Sequence, residues 1–182
     1  MTLIKSISGI RGTIGGKVGE SLTPIDVVKF TSAYCTLIKR ENPNKKLKIV
    51  VGRDARISGE IVANLVCSTL SACGVDVVNI GMASTPTTEM GVIFEKADGG
   101  IILTASHNPK EWNALKLLNN KGEFITAQQG AHLLEIAEKE EFDFLDVDNL
   151  GKIHFNIGSV VPGVYKYILS ATKKRRKWVR IK

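Results

Sequence analysis

A serine and a histidine stand side by side in the segment from Thr104 to Pro109, directly after the apolar run 99–103. The apolar run indicates a buried strand, and polar residues followed by Asn-Pro indicate a loop where that strand ends. In such a loop Ser106 can carry a phosphoryl or acyl group, and the neighbouring His107 can move a proton at neutral pH. An alternative interpretation is that the serine is a turn former bonded to its own backbone.

Cationic side chains surround this segment in the sequence. Lys116 follows Ser106 by ten residues, on what we expect to be the next strand. Arg11 lies in the glycine-rich segment 8–16, and further arginines lie in the segment 52–59 at another strand end. Because cations on several loops near a serine suit an anionic substrate, this pattern favours a phosphate-bearing substrate.

Strands and helices alternate along the chain. The predicted strands are 3–7, 47–51, 75–80, 99–104, 114–118 and 153–155. The predicted helices begin at Thr23-Pro24, Ser58, Thr85-Pro86 and Thr126, and a further short helix begins at Pro162. We expect Ser58 to cap the second of these helices. Short apolar strands between helices predict an α/β fold whose largely parallel sheet is covered by helices on both faces. The strand 114–118 looks antiparallel, so we expect a mixed, mostly parallel sheet.

The composition is that of a globular protein. The chain has 182 residues, of which 43% are hydrophobic and 24% charged, enough for one domain with a good core. The cysteines at 35, 67 and 73 have no metal-ligand spacing, and we expect reduced, buried thiols. The histidines at 107, 132 and 154 are scattered, so a histidine metal cluster is not expected. There is neither a leader sequence nor an apolar run of membrane-spanning length, which predicts a cytoplasmic protein.

The net charge of +7 lies at the end of the chain. Residues 173–182 carry seven basic residues and no acid, whereas the remaining 18 basic residues are balanced by 18 acidic ones. Two interpretations remain open: a tail that binds nucleic acid electrostatically, or the start of an element that continues beyond Lys182. We therefore predict one domain over residues 1–158, followed by a linker and the start of a truncated second domain over 159–182.

Three motifs in the same order resemble the α-D-phosphohexomutases, which include phosphoglucomutase, phosphomannomutase and phosphoglucosamine mutase. Residues 104–109, followed by 113–116, resemble the family's phosphoserine loop. Residues 8–12 resemble its N-terminal Gly-Ile-Arg-Gly loop, and residues 52–59 its Gly-Arg-Asp-x-Arg-x-Ser-Gly segment. The resemblance extends from residue 1 to about residue 170. One departure is Ala114, which stands where the family often has glycine.

The resemblance implies domain I, a three-layer α/β/α sandwich, of a four-domain intramolecular phosphotransferase. Such an enzyme interconverts hexose 1-phosphate and hexose 6-phosphate through a hexose 1,6-bisphosphate, which also activates it. Ser106 would be the phosphorylated residue and would contribute its phosphate to an Mg²⁺ site. The aspartate ligands of that metal lie in the family's second domain, and this chain contains no Asp-Gly-Asp sequence.

The resemblance also implies roles for individual residues. Ser106, His107 and Lys116 are the expected catalytic residues, and Arg11 and Asn108 are expected to bind phosphate. Alternatives stay open: a structural hydrogen bond for the histidine, a solvated strand position or a base for the lysine, and loop bracing for Arg11. Asn108 and Asn113 are expected to shape the loop. We expect Arg53, Asp54 and Arg56 to form an ion-pair network that holds it.

The expected function is that of a phosphoglucomutase/phosphomannomutase acting on a small sugar phosphate. Phosphoglucosamine mutase activity and a non-catalytic phosphosugar-binding module are the alternatives, and nucleic acid or membrane partners are not expected. Since the metal aspartates and the later domains are missing from the chain, we expect residues 1–182 alone to turn over essentially no substrate.

Overall fold

One mixed sheet of seven strands forms the centre of the protein. The computed structural model describes residues 1–6 and 9–155. The strands are β1 (Ile4–Ser6), β2 (Gly9–Thr13), β3 (Lys48–Arg53), β4 (Asp76–Met82), β5 (Gly99–Leu103), β6 (Trp112–Leu118) and β7 (Ile153–Phe155). The helices are α1 (Pro24–Glu41), α2 (Gly59–Ala72), α3 (Thr85–Phe94) and α4 (Ala127–Lys139), with a short 3₁₀ helix at Val147–Asn149.

The strand order is β1-β2-β6-β5-β3-β4-β7. The pairs β3–β4, β3–β5 and β4–β7 are parallel, whereas β1–β2, β2–β6 and β5–β6 are antiparallel. Five strands therefore run in one direction, and β1 and β6 run against them. The predicted mixed sheet is confirmed, including the antiparallel strand after the serine loop and the closing strand β7.

Helices cover both faces of the sheet, as an α/β/α sandwich requires. Side chains of α1, α2 and α4 pack in one core cluster with Ile49 and Val51 of β3. Val50 lies in a second cluster together with Val92 of α3. Because successive strand residues point to opposite faces, this alternation places α3 on the second face, opposite the other three helices of residues 9–155. The predicted fold class is confirmed.

Capping residues explain where the helices begin. Thr23 and Thr126 each form a capping box, with Asp26 and Gln129 respectively, and Pro24 occupies the first turn of α1. Helix α3 begins at Thr85 as predicted, but its capping side chain is the preceding Ser84, which accepts from the Thr87 N–H.

The expectation that Ser58 caps α2 is wrong. Ser58 occupies the N-cap position, yet its side chain makes no capping hydrogen bond. Its backbone is already in the α region, φ −76° and ψ −6°, rather than the extended conformation of a typical cap. Its hydroxyl instead accepts a hydrogen bond from the Asn113 side chain at 2.9 Å.

Buried polar groups connect the layers. The hydroxyl of the fully buried Tyr34 in α1 donates to the Leu118 carbonyl at 2.6 Å, and burial raises the pKa of this phenol. The three cysteines are buried and unpaired, as expected, and burial raises the pKa of the Cys67 thiol to about 11. None of the helices that the structure describes is both long and apolar enough to span a bilayer.

The remaining predictions on domain organisation concern residues outside the described part of the chain. The short helix expected from Pro162 and the basic segment 173–182 both lie there. The boundary between residues 158 and 159 likewise stays a prediction.

Candidate functional site

The serine loop (residues 104–111) and the arginine loop (residues 54–58) begin at the same edge of the sheet. Strands β3 and β5 are parallel neighbours in which Arg53 is opposite Leu103, so both strands end at the same edge of the sheet. The Asp54 N–H donates to the Leu103 carbonyl at 3.0 Å and ties the start of one loop to the end of the other strand. Residues 104–111 then connect β5 to β6.

Ser106 lies at the tip of a tight turn with an unusual backbone conformation. Its φ of +51° is in the left-handed region, which non-glycine residues rarely adopt. The Ser106 N–H donates to the Thr104 hydroxyl at 3.1 Å, and the Asn108 N–H donates to the Ala105 carbonyl at 3.0 Å. These bonds hold a turn that leaves the serine side chain exposed.

Lys116 is bonded to this serine. Its ammonium group donates to the Ser106 hydroxyl oxygen at 3.0 Å. Lys116 lies on β6 opposite the buried Ile102 of β5, so the sheet fixes the backbone position of the lysine. A cation at this distance can neutralise a phosphoryl group on the serine or return a proton to its oxygen.

A pocket of about 220 Å³ lies over these residues. Its lining comprises Gly9, Arg11, Thr104, Ala105, Ser106, His107, Asn108, Ala114 and Lys116. Arg11 reaches it from β2, where it pairs with Ala114 of β6. Since Ala114 and Lys116 are two residues apart on one strand, the two cations share one face of the sheet. No carboxylate is among the described lining residues, so the pocket is positively charged and suits an anion.

Gly9 permits the close approach of β2 to β6. Its φ is +120°, and a Cβ at this position would collide with the Leu115 carbonyl oxygen. The glycine therefore lets the strand that carries Arg11 lie against the strand that carries Lys116. Ser8, the first residue of the same motif, lies outside the described residues.

Arg56 holds the serine loop through backbone carbonyls and is not among the described lining residues of the pocket. Its guanidinium donates to the carbonyl oxygens of Pro109 at 2.7 Å and Trp112 at 3.0 Å through Nη1. Through Nη2 it donates to those of Ser106 at 3.0 Å and Asn108 at 2.7 Å. Arg56 thus donates to three carbonyls of the loop 104–111 and to one carbonyl at the start of β6.

Asp54 and Arg53 complete the arginine loop. Asp54 Oδ2 lies 3.3 Å from Arg56 Nε, and its Oδ1 accepts from the Arg56 backbone N–H at 3.0 Å. Arg53 Nη1 donates to the Asp54 carbonyl at 3.1 Å, and its side chain makes no other hydrogen bond within the described residues. The structure therefore contains the expected Asp54–Arg56 ion pair, whereas Arg53 makes no ion pair within the described residues.

Asn113 is a buried polar anchor for the end of the loop. Its side chain is inaccessible to solvent, donates to the Ser58 hydroxyl and accepts from the Ala114 N–H at 2.8 Å. It connects the start of β6 to the start of α2, which agrees with the expected structural role.

The structure brings the five predicted site residues to one pocket, and their chemical roles stay predictions. His107 is exposed and Asn108 half-buried, both at the pocket rim. Gly9 and Thr104 also line the pocket and were not predicted as site residues. The positive φ of a glycine in a strand-end motif and the Thr-x-Ser spacing of a side-chain turn are the signals that indicate them.

The described residues do not provide an Mg²⁺ site of their own. Within residues 1–6 and 9–155 there is no group of three or more His, Cys, Asp or Glu side chains that could hold a metal ion. The phosphate of a phosphorylated Ser106 would supply oxygen ligands, but carboxylates would have to come from elsewhere.

Comparisons with known proteins identify the family of the chain. Residues 3–144 match the model of a family described as phosphoglucomutase/phosphomannomutase, alpha/beta/alpha domain I. A phosphoglucomutase/phosphomannomutase of Thermococcus kodakarensis is 35% identical over 173 residues, covering 92% of this chain and 38% of that protein. A probable phosphoglucosamine mutase of Methanosphaera stadtmanae is 33% identical over 154 residues, covering 82% of this chain and 32% of that protein.

Solved structures share the fold. A phosphoglucomutase/phosphomannomutase family protein of Burkholderia thailandensis superposes with a TM-score of 0.66 at 25% identity, covering 84% of this chain and 33% of that one. A protein of Thermus thermophilus gives a TM-score of 0.70 at 23% identity, covering 86% and 34%, and supports the fold alone. The chain spans 38% and 32% of the length of the two curated relatives described above.

Proposed function

Since the chain belongs to the phosphoglucomutase/phosphomannomutase family as its α/β/α domain I, we propose that Ser106 is the phosphoryl carrier of a phosphohexomutase. The complete protein would interconvert hexose 1-phosphate and hexose 6-phosphate. The observation that carries this proposal is the 3.0 Å bond from the Lys116 ammonium to the Ser106 hydroxyl, inside a pocket with a second cation, Arg11.

In this proposal, phosphoryl transfer at Ser106 runs in both directions. A sugar hydroxyl attacks the phosphorus of phosphoserine, a P–O bond to the sugar forms, and the P–Oγ bond of Ser106 breaks. His107, at the pocket rim, accepts the proton of the attacking hydroxyl, and Lys116 donates a proton to the departing Oγ. After the bisphosphate has turned over, the serine oxygen attacks its other phosphorus, and both proton transfers reverse.

Two further residues bind the phosphate in this proposal. Arg11 presents a planar fork of donors, a geometry that matches phosphate oxygens. Its side chain makes no hydrogen bond or ion pair with any other residue that the structure describes, so it is available to a ligand. Asn108 lies beside Ser106 in the same lining and adds an amide donor.

The complete protein would use Mg²⁺, with hexose 1,6-bisphosphate as intermediate and activator. The phosphate on Ser106 would contribute to the metal site, and carboxylates from the rest of the complete protein would complete it. The metal would supply charge neutralisation during phosphoryl transfer. We propose a cytoplasmic protein because its three buried, unpaired thiols suit a reducing compartment, and we expect neither nucleic acid nor membrane partners.

Phosphoglucosamine mutase is the second candidate function. Relatives from several archaea carry that name at 33–35% identity over most of this chain, similar to the 35% of the phosphoglucomutase/phosphomannomutase relative. The pocket around Ser106 is built for the transferred phosphoryl group rather than for the sugar. Its residues therefore do not favour one hexose over another.

The test is to replace Ser106 by alanine in the complete protein. Mutase turnover should fall by more than about 1,000-fold, because the phosphoryl group would have no acceptor. Ser68→Ala, at an exposed serine of α2, is the matched control and should keep full activity. Glucose 1-phosphate, mannose 1-phosphate and glucosamine 6-phosphate as separate substrates distinguish the two candidate functions.

Substantial turnover by the Ser106→Ala variant would exclude the proposed mechanism. Binding of all three sugar phosphates without any turnover by the wild-type protein would instead favour the non-catalytic phosphosugar-binding module.

A further inference from the structure

The bonds of Arg56 determine more than the position of the serine loop. We infer that Arg56 is a positioning residue that turns the backbone N–H of His107 toward the phosphoryl group on Ser106. This inference rests on the proposed function of Ser106 and names a backbone donor and its supporting side chain.

The direction of this N–H follows from peptide geometry. In a planar trans peptide the C=O of one residue and the N–H of the next point in opposite directions. The described residues contain no cis peptide bond. Because the Ser106 carbonyl oxygen accepts from Arg56 Nη2 at 3.0 Å, the His107 N–H points away from the guanidinium.

Ser106 and His107 both line the pocket, whereas Arg56 is not among its described lining residues. In this inference the His107 N–H, which points away from the guanidinium, is therefore directed toward the pocket. The His107 N–H makes no hydrogen bond to any other group in the described part of the chain, so this donor is free for an anion.

The left-handed conformation of Ser106 fits this role. Backbone N–H groups that flank a left-handed residue form concave anion sites in other proteins. Here the Ser106 N–H is occupied by the Thr104 hydroxyl and the Asn108 N–H by the Ala105 carbonyl. The His107 N–H is the donor between them, adjacent to the side chain that would carry the phosphate.

Arg56 itself is rigidly held. Its side chain is only 11% exposed, and Asp54 contacts it at both Nε and the backbone N–H. Only a planar group with several donors can serve four carbonyls at once, so lysine should not replace it. Relaxation of these bonds would let the peptide between Ser106 and His107 rotate.

The first experiment uses steady-state kinetics of the complete protein carrying Arg56→Lys or Arg56→Ala. The kcat should fall about 100-fold, because a donor to the transferring phosphoryl group is displaced. The KM for the sugar phosphate should stay within about threefold, because the sugar-binding site is unchanged. Added guanidinium should partly restore the kcat of Arg56→Ala. The matched control is Arg53→Gln, which removes a neighbouring arginine without a bond to the serine loop and should retain kcat within about twofold.

The second experiment measures backbone amides by ¹H–¹⁵N NMR in the 182-residue chain during titration with inorganic phosphate. The His107 amide should shift saturably in the wild-type chain and in Arg53→Gln. In folded Arg56→Lys this shift should be lost or reduced at least about threefold, because a lost charge-assisted hydrogen bond weakens the interaction.

These outcomes separate the inference from the proposed function. Absence of mutase turnover in the wild-type complete protein would overturn the function, and the amide titration would still decide the role of Arg56. If the wild-type protein is active, any of three results overturns the inference. These are an unchanged kcat in folded Arg56→Lys, no rescue of Arg56→Ala by guanidinium, or no shift of the His107 amide on addition of phosphate.

Discussion

At the scale of single residues, Ser106 combines an exposed hydroxyl with a backbone conformation that serine disfavours. The left-handed region costs an L-residue roughly 1 kcal/mol relative to glycine, which has no Cβ. Its hydrogen bond to the Thr104 hydroxyl and those that it accepts from Lys116 and Arg56 hold the residue there. The loop therefore holds the Ser106 hydroxyl oxygen in place at a cost in folding stability.

This strain leads to a prediction for two variants that both lack the hydroxyl. In urea denaturation of the 182-residue chain, Ser106→Gly should be more stable than Ser106→Ala by about 1 kcal/mol, since only glycine adopts φ near +51° without strain. The same pair at Ser68, in the middle of α2, should show the opposite order because glycine is unfavourable in helices. Equal stability of the two Ser106 variants would mean that the loop is unstrained.

Sequence reasoning located this residue but not the contacts that hold it. The motif spacing placed Ser106 and Lys116 on neighbouring elements, and the structure joins them by a hydrogen bond. The four carbonyl contacts of Arg56 could not be predicted from the sequence, because they join residues about 50 positions apart in the chain. Ser58 was misjudged for the same reason, since its partner Asn113 comes from a distant strand.

At the scale of elements, the contact between β3 and α3 depends on the absence of a side chain. Gly52 lies one residue before Arg53, and a Cβ there would collide with the Thr88 hydroxyl of α3. Thr88 is fully buried, and its hydroxyl donates to the Ser84 carbonyl at 3.1 Å. The helix is therefore seated directly on the strand that leads into the arginine loop.

A double-mutant cycle tests this contact. Gly52→Ala alone should destabilise the chain by about 1–3 kcal/mol, the usual cost of overpacking. In a Thr88→Ala background the same change should cost less, with a coupling of at least about 0.5 kcal/mol, because the colliding side chain has been removed. Denaturant unfolding of the four proteins measures the coupling. Additive effects would show that the strand and helix move apart instead.

Local signals explain why the elements themselves were predictable. The capping boxes at Thr23 and Thr126 are complete within four residues, and the structure contains both. The apolar run of β5 is buried at every position. By contrast, the balance of three parallel and three antiparallel neighbours depends on strand order, which distant pairings determine.

At the scale of the whole molecule, the described domain provides cations for a phosphate but no cluster of carboxylates for a metal. Arg11, Lys116 and the serine loop converge on one pocket from β2, β6 and the end of β5. The described residues contain no group of three or more candidate metal ligands. The proposed function therefore assigns anion binding to this domain and metal binding mainly to another part of the complete protein.

This separation predicts that phosphate binding by the 182-residue chain does not depend on Mg²⁺. Calorimetric titration of the 182-residue chain with inorganic phosphate should give the same affinity in Mg²⁺ and in EDTA, because Arg11 and Lys116 supply the positive charge. Arg11→Gln should weaken binding about tenfold, the effect of one lost charge-assisted bond. Arg40→Gln, which removes an exposed arginine paired with Glu141 in another part of the molecule, is the control and should leave the affinity unchanged.

The complete protein should behave differently, since its turnover should stop in EDTA and return with added Mg²⁺. If Mg²⁺ strengthened phosphate binding by the 182-residue chain itself, carboxylates of this chain would have to contact the metal, and the assignment of the metal ligands to the rest of the protein would be wrong. If EDTA left the turnover of the complete protein unchanged, the cations of this pocket would be sufficient for phosphoryl transfer without a metal.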